Sequence, residues 1–333
     1  MTSPPAIDIH AHFYPEAFLK VIEDEGAAFG AHLDRSNPKG PAIAVGGAVG
    51  PPLDATYWDL DRRVRAMDKA GVRLHALSLT VPMVYWARGE VATRAARAVN
   101  DAMAEAYGAY PERFVGCATL PMHEPVLALA ELERAAKLPG IRAVYLGTNV
   151  NGRELSDRGF EPIYARCEAL RLPVLLHPIA VVGAERLRPF YLNNLLGNPF
   201  DNAIAAAHLV FGGVLDRHPR LQVCLPHAGG ALPYLVGRLE HGQRVRPEAQ
   251  NRARRPFGAY LRRFTYDTIT HSGEALRYLI ATVGAERVML GSDYCFDMGY
   301  DRPRDIIVKR ARLSKADQAR ILGGNALRFL GLR

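Results

Sequence analysis

Lysine is scarce in this chain: it supplies six of the 42 basic residues. Cysteine is scarcer still. Cys117, Cys167, Cys224 and Cys295 show no close pairing and no CxxC spacing, which leaves no disulfide or redox framework and predicts buried free thiols in a reducing compartment. No run approaches the roughly 20 apolar residues of a membrane span. The opening MTSPPAIDIHAHF lacks a charged region followed by an apolar one. A cytoplasmic protein without membrane contact is the expectation. Hydrophobic residues make up 49 % and charged residues 23 % of 333, an ordinary folded composition. That length suits one α/β (β/α)8 barrel of about 250 residues plus insertions, a single domain over residues 1–333.

The formal charge of +8 raises the question of nucleic acid. The basic residues are scattered through helical segments. The densest cluster (Arg246, Arg252, Arg254, Arg255 and Arg262) has no stacking aromatics interleaved in an RNA-binding pattern. A solvated surface that attracts a small anionic substrate fits better, and no nucleic-acid partner is expected.

Short apolar runs alternate with amphipathic ones, the pattern of repeated βα units. Strands are predicted at Ala6–Ile9, Leu74–Leu79, Phe114–Leu120, Ala143–Leu146, Val174–Leu176, Leu221–Leu225, Tyr266–Ile269 and Val288–Leu290. Leu60, Val64 and Met67 predict a helix over Asp59–Ala70 that stops at Gly71. Residues 25–57 and 178–200 read as long irregular insertions after strands, over the C-terminal face of the barrel.

His10 and His12 stand two apart at a strand end, so both imidazoles face the same way and can reach one ion. His177, His227 and Asp293 each follow an apolar run, where barrel enzymes place catalytic groups. His75, within its run, reads as a core histidine. None of the six lysines (Lys20, Lys39, Lys69, Lys137, Lys309, Lys315) sits at a strand end, and the fourth strand ends at Tyr145-Leu146-Gly147.

The segments Ile7-Asp8-Ile9-His10-Ala11-His12-Phe13-Tyr14-Pro15, Leu176-His177-Pro178, Pro226-His227-Ala228-Gly229-Gly230 and Val288-Met289-Leu290-Gly291-Ser292-Asp293-Tyr294 resemble the amidohydrolase superfamily. More narrowly, they resemble the branch containing 2-amino-3-carboxymuconate-6-semialdehyde decarboxylase and the γ-resorcylate and 5-carboxyvanillate decarboxylases. The resemblance implies one divalent metal, Zn²⁺ or alternatively Mn²⁺, with His10, His12, His177 and Asp293 as ligands. It implies His227 as a catalytic acid or base or a water-positioning group. Binuclear members of the superfamily bridge two metals with a carboxylated strand-end lysine, which this chain lacks, so one metal is expected.

The implied activity is a non-oxidative decarboxylation of a hydroxylated aromatic, heteroaromatic or muconate-like carboxylic acid, with Asp293 or His227 as proton donor. A hydrolase or hydratase of the same metal fold is the rival reading. Trp58-Asp59 matches a pair in the aminocarboxymuconate enzyme, but the arginine that precedes it there is missing from residues 46–54, which argues against that exact substrate. Arg238 matches a family arginine that reaches across a dimer interface, so a homodimer or higher homo-oligomer is expected. Phe13, Tyr14, Tyr85, Trp86, Tyr294 and Phe296 follow predicted strands as candidate walls for a flat ring. Of these, Phe13, Tyr14, Trp86 and Phe296, with Arg238, are taken as the substrate-binding set. Cys295 reads as an inert thiol beside them.

Overall fold

The computed structural model describes residues 5–250 and 252–332. Seven parallel strands form the central sheet in the order β1 (Ile7–His12), β5 (Leu74–Ser78), β6 (Phe114–Thr119), β7 (Ile141–Gly147), β10 (Val174–His177), β11 (Val223–Leu225) and β12 (Phe264–Tyr266). These strands are buried almost throughout, as parallel strands covered by helices must be. The helices that cover them include α1 (Glu16–Glu25), α2 (Leu60–Ala70), α3 (Gly89–Ala109), α4 (Pro125–Ala135), α5 (Glu161–Leu170), α6 (Asn198–Phe211), α7 (Val214–Arg217), α8 (Leu232–Val245) and α9 (Gly273–Val283).

The expected eighth strand, Val288–Leu290, is present as single bridges and not as a ladder. Tyr266 bridges Val288 and Ala11 bridges Tyr294, both parallel. Met289 N–H donates to the Tyr266 carbonyl at 2.8 Å, and Ile9 N–H to the Leu290 carbonyl at 3.0 Å. The segment therefore hydrogen-bonds to both the last and the first strand, closing the ring. Its backbone is kinked: Asp293 sits at φ 62°, a left-handed conformation that costs a non-glycine residue energy and recurs at functional sites.

The α2 helix begins where Asp59 caps it by accepting from Arg62 N–H and ends at Gly71, φ 69°. A residue with a Cβ would be strained in that left-handed cap. The insertion at residues 25–57 is more regular than expected. It holds a three-stranded antiparallel sheet of β2 (Ala31–Asp34), β3 (Ala42–Val45) and β4 (Ala48–Pro52). Gly46 and Gly47, at φ 56° and 83°, make the tight turn between β3 and β4, whose two central positions need positive φ. A two-residue-strand hairpin, β8 (Asn149–Val150) and β9 (Arg153–Glu154), follows β7. The second insertion, 178–200, runs through helical turns at Pro189–Tyr191 and Asn193–Gly197 into α6.

Candidate metal centre

His10 and His12 leave the end of β1, and His177 closes β10. His227 follows β11 after Pro226, and Asp293 ends the closing segment. The fold gathers all five at the C-terminal mouth. His10 Nε2 stands 3.1 Å from His12 Nε2, and Asp293 Oδ1 lies 2.8 Å from His12 Nε2 and 3.5 Å from His10 Nε2. The ring centres of His10 and His12 are 5.3 and 5.0 Å from that of His177. One ligand atom each from His10, His177, His227 and Asp293 lies within 4.8 Å of the others.

Hydrogen bonds at the far sides of the rings set the tautomers. His10 Nδ1 donates to the Asp267 carboxylate at 2.8 Å. His177 Nδ1 donates to the Pro178 carbonyl at 2.7 Å, with Thr80 Oγ1 equally close. Ser78 Oγ donates to the Ala11 carbonyl and is left to accept from His12 Nδ1 at 3.3 Å. His10 and His177 thus keep the Nε2 lone pair for the centre, and His12 Nε2 faces Asp293 Oδ1. Two imidazole nitrogens and a carboxylate oxygen, facing one another at 2.8–3.5 Å, make a donor set suited to a cation among them. Tetrahedral Zn²⁺ with Zn–N of about 2.0–2.1 Å would set its ligand nitrogens about 3.3 Å apart. The residues present fit a divalent ion.

His227 differs. Asn202, on α6, donates from Nδ2 both to the Pro226 carbonyl at 3.0 Å and to His227 Nδ1 at 3.2 Å. The carbonyl fixes which way the amide points, so His227 Nδ1 accepts and Nε2 carries the hydrogen. That Nε2 lies 3.9 Å from Asp293 Oδ2. His227 in this tautomer offers a proton where His10 and His177 offer lone pairs.

Burial lowers the proton affinity of His227 and pushes His12 down to about 4, although the Asp293 hydrogen bond opposes the latter. Burial alone would raise Asp293, but the hydrogen bond from His12 and the neighbouring imidazoles hold it well below the usual carboxylate range. The carboxylate is therefore ionised.

Asp267 is the residue that sequence reasoning missed. Besides His10 it accepts from the backbone N–H of His227, Ala228 and Ile269 at 2.8–3.0 Å. It lies within the predicted strand Tyr266–Ile269, which in fact spans Phe264–Tyr266; Asp267 is the first residue past that strand. An acid embedded in an apolar run was the available signal.

A cavity of about 440 Å³ opens beside His227 and Asp293, walled by Asn194, Asn198, Tyr234, His271, Tyr278 and Met298, among others. Of the expected substrate contacts, Phe296 lies against the centre, its ring 5.1 Å from that of His12. Phe13 and Tyr14 are buried, with Tyr14 Oη donating to the Val81 carbonyl at 2.6 Å. Trp86 donates to the Met83 carbonyl at 3.2 Å and packs on Phe29. Arg238 is exposed on α8. None of these five lines the cavity among the described residues. His75 is buried in β5 as expected. Burial raises the Cys295 thiol to about 11, which keeps it protonated and inert.

The family model described as Amidohydrolase matches residues 7–332. The chain belongs to the amidohydrolase family. Among curated relatives, the 2-amino-3-carboxymuconate-6-semialdehyde decarboxylase of Dictyostelium discoideum is 34 % identical over 330 residues, spanning 98 % of this amidohydrolase and 91 % of its own length. The crystal structure of 5-carboxyvanillate decarboxylase from Sphingomonas paucimobilis superposes with a TM-score of 0.86 at 26 % identity, covering 99 % of this chain and 100 % of its own. The dihydroxybenzoic acid decarboxylase of Polaromonas sp. JS666, with bound manganese and the inhibitor 2-nitroresorcinol, gives a TM-score of 0.79 at 27 % identity over 98 % and 97 % of the two chains. With these relatives, the family and the donor set make this amidohydrolase a metal-dependent carboxy-lyase on a TIM-type barrel.

Proposed function

We propose that the protein removes CO2 without oxidation from a hydroxylated aromatic or heteroaromatic carboxylic acid, at one divalent ion held by His10, His12, His177 and Asp293. The observation that carries this reading is a contrast in hydrogen bonding: oxygen acceptors engage Nδ1 of His10 and His177 and leave Nε2 for an ion, while the Asn202 amide engages Nδ1 of His227 and leaves its Nε2–H on the side of Asp293. The ion, Zn²⁺ or alternatively Mn²⁺, would bind the substrate carboxylate and a neighbouring oxygen and orient the C–CO2 bond. The manganese-containing relative supports the Mn²⁺ alternative.

The remaining work falls to the chain. The cavity beside His227 takes the ring, and Phe296 packs against His12 on the centre. His227 and Asp293, 3.9 Å apart, share the proton that is delivered to the ring carbon. Burial favours neutral His227, and Asp293 is ionised, so either group delivers a proton to the ring carbon only after taking one up from solvent or from an acidic group of the substrate. Once the C–H bond forms, the C–CO2 bond breaks and its electron pair restores the aromatic ring.

Residues 1–333 are proposed to act as one barrel domain. Among the described residues no helix is long and apolar enough to cross a membrane. Arg238 is exposed and does not line the cavity of its own chain, so a role in substrate binding would need a second copy of the chain; we infer a homodimer on that ground.

The test is a product assay with metal-loaded enzyme in ¹⁸O-water, using dihydroxybenzoates and other hydroxylated ring acids. Release of CO2 from a product free of solvent oxygen is the expected result. A product that keeps every carbon and gains ¹⁸O would replace this reading with a hydrolase or hydratase.

A further inference from the structure

Arg63 is completely buried, and among the described residues no carboxylate pairs with its guanidinium. Nε and Nη1 have no hydrogen-bond partner. Nη2 donates to three backbone carbonyls, those of His12, Thr56 and Tyr57. The cation also stands over two rings, 4.8 Å from the centre of Tyr294 and 5.8 Å from that of Phe13.

Buried charges normally meet an opposite charge, and an apolar side chain of similar volume is often tolerated in their place. The position of Arg63 on α2 makes the exception sharper, because it lies between Leu60 and Met67 on the face turned to the core. A methionine there could fill the same volume without bringing a charge inside. What the arginine adds is a set of contacts to one place. It grips the carbonyl of His12. The two rings that hold it belong to Phe13, which follows His12, and Tyr294, which follows Asp293. His12 N–H in turn donates to the Tyr294 carbonyl. The first barrel strand and the closing segment meet on this one cation.

We propose that Arg63 is a positioning residue for the metal centre, holding His12 and Asp293 at ligand separation by fastening the backbone and the ring next to each. The proposal rests on His12 and Asp293 being ligands. Arg63 itself touches neither substrate nor ion.

The experiment compares Arg63→Met, Arg63→Lys and His12→Ala with wild type. Each protein is stripped of metal, checked by circular dichroism and thermal melting, and titrated with Zn²⁺ against a chromophoric chelator. The folded Arg63→Met protein should bind Zn²⁺ about 10- to 100-fold more weakly, the range typical of groups that orient metal ligands. Arg63→Lys, which keeps the cation, should recover part of the loss. A lowered melting temperature with wild-type Zn²⁺ affinity would reduce Arg63 to a packing role and overturn the proposal.

His12→Ala separates the two layers of the argument. Wild-type affinity in that variant would overturn the ligand assignment itself. Lost affinity there, beside normal affinity in Arg63→Met, would overturn only the role of Arg63. If Arg63→Met does not fold, Tyr294→Leu removes one ring from the cation, and unchanged Zn²⁺ affinity in it counts against the proposal in the same way.

Discussion

Asp267 binds His10 Nδ1 at 2.8 Å across 257 positions of sequence, and the same carboxylate receives the backbone N–H of His227. One side chain thus orients a candidate ligand and the start of the loop that carries the candidate acid. Asp267→Asn preserves the shape but puts an NH2 group against donors. It should weaken metal binding about 10- to 100-fold, read as metal content after dialysis, and lower kcat as well. Full metal occupancy with wild-type turnover would show that this link is ornamental.

His227→Ala is expected to leave the metal bound and to cost roughly 10²- to 10⁴-fold in kcat, the usual contribution of a general acid or base. Elemental analysis of the same preparation makes the result decisive. A variant that loses its metal would move His227 into the ligand set.

Asn202→Leu probes the tautomer more gently. Without the amide that donates to His227 Nδ1, the imidazole is free to place its hydrogen on either nitrogen. The expected outcome is a several-fold fall in kcat and a displaced pH–rate profile, with metal content unchanged. An unaltered profile would remove Asn202 from the mechanism.

Chelation should abolish turnover, and Zn²⁺ or Mn²⁺ should restore it. Because the ion binds the folded chain, stability should rise with free metal, by about 2.7 kcal/mol at 100 times the dissociation constant. Denaturant melts at graded free metal measure this directly. A midpoint indifferent to metal would argue that the centre is not formed by the folded barrel.

Glu161 gives a pH dependence far from the centre. Burial would raise its carboxyl, but hydrogen bonds from Arg217 and His218 outweigh this and hold it below the ordinary value of 4.5. A depressed carboxyl contributes stability that is present above the unfolded value and lost as pH falls through the folded one. Glu161→Gln should therefore be less stable than wild type near pH 7 and converge with it in the acid range below 4.5, in melts taken across pH.

The five residues gathered at the barrel mouth were legible in sequence as candidates because strand ends advertise themselves. An apolar run that stops at His10-Ala11-His12, His177 or Asp293 announces which side chains reach the mouth of a barrel. Asp267 hid because the predicted strand was drawn three residues too far and seemed to swallow it. Arg63 hid in a charged helix beside Arg62 and Arg65, where a solvated face is the natural reading. Its spacing from Leu60 and Met67 was the overlooked sign. The β3–β4 hairpin hid in a glycine-rich stretch, although Gly46-Gly47 between two short strands is itself a turn signal. The cavity walls were beyond reach, since Asn194, Tyr234 and Met298 come from different elements and no local pattern brings them together.

The closing segment joins its neighbours by single bridges, yet it carries Asp293, which meets His12 across 281 positions. An ion shared by these two side chains would act as a clasp on the seam where the first and last strands of the barrel meet. Closing so long a loop is entropically costly, and the seam offsets that cost with three backbone hydrogen bonds between β1 and the closing segment and with the bonds from Ser292 to Asp8, to which a shared ion would add. Opening of the seam and escape of the ion then become one event. Amide exchange along residues 288–294 should slow when metal is added, more than exchange anywhere on β6 or β7, and the rate of metal release should follow the rate at which that seam breathes.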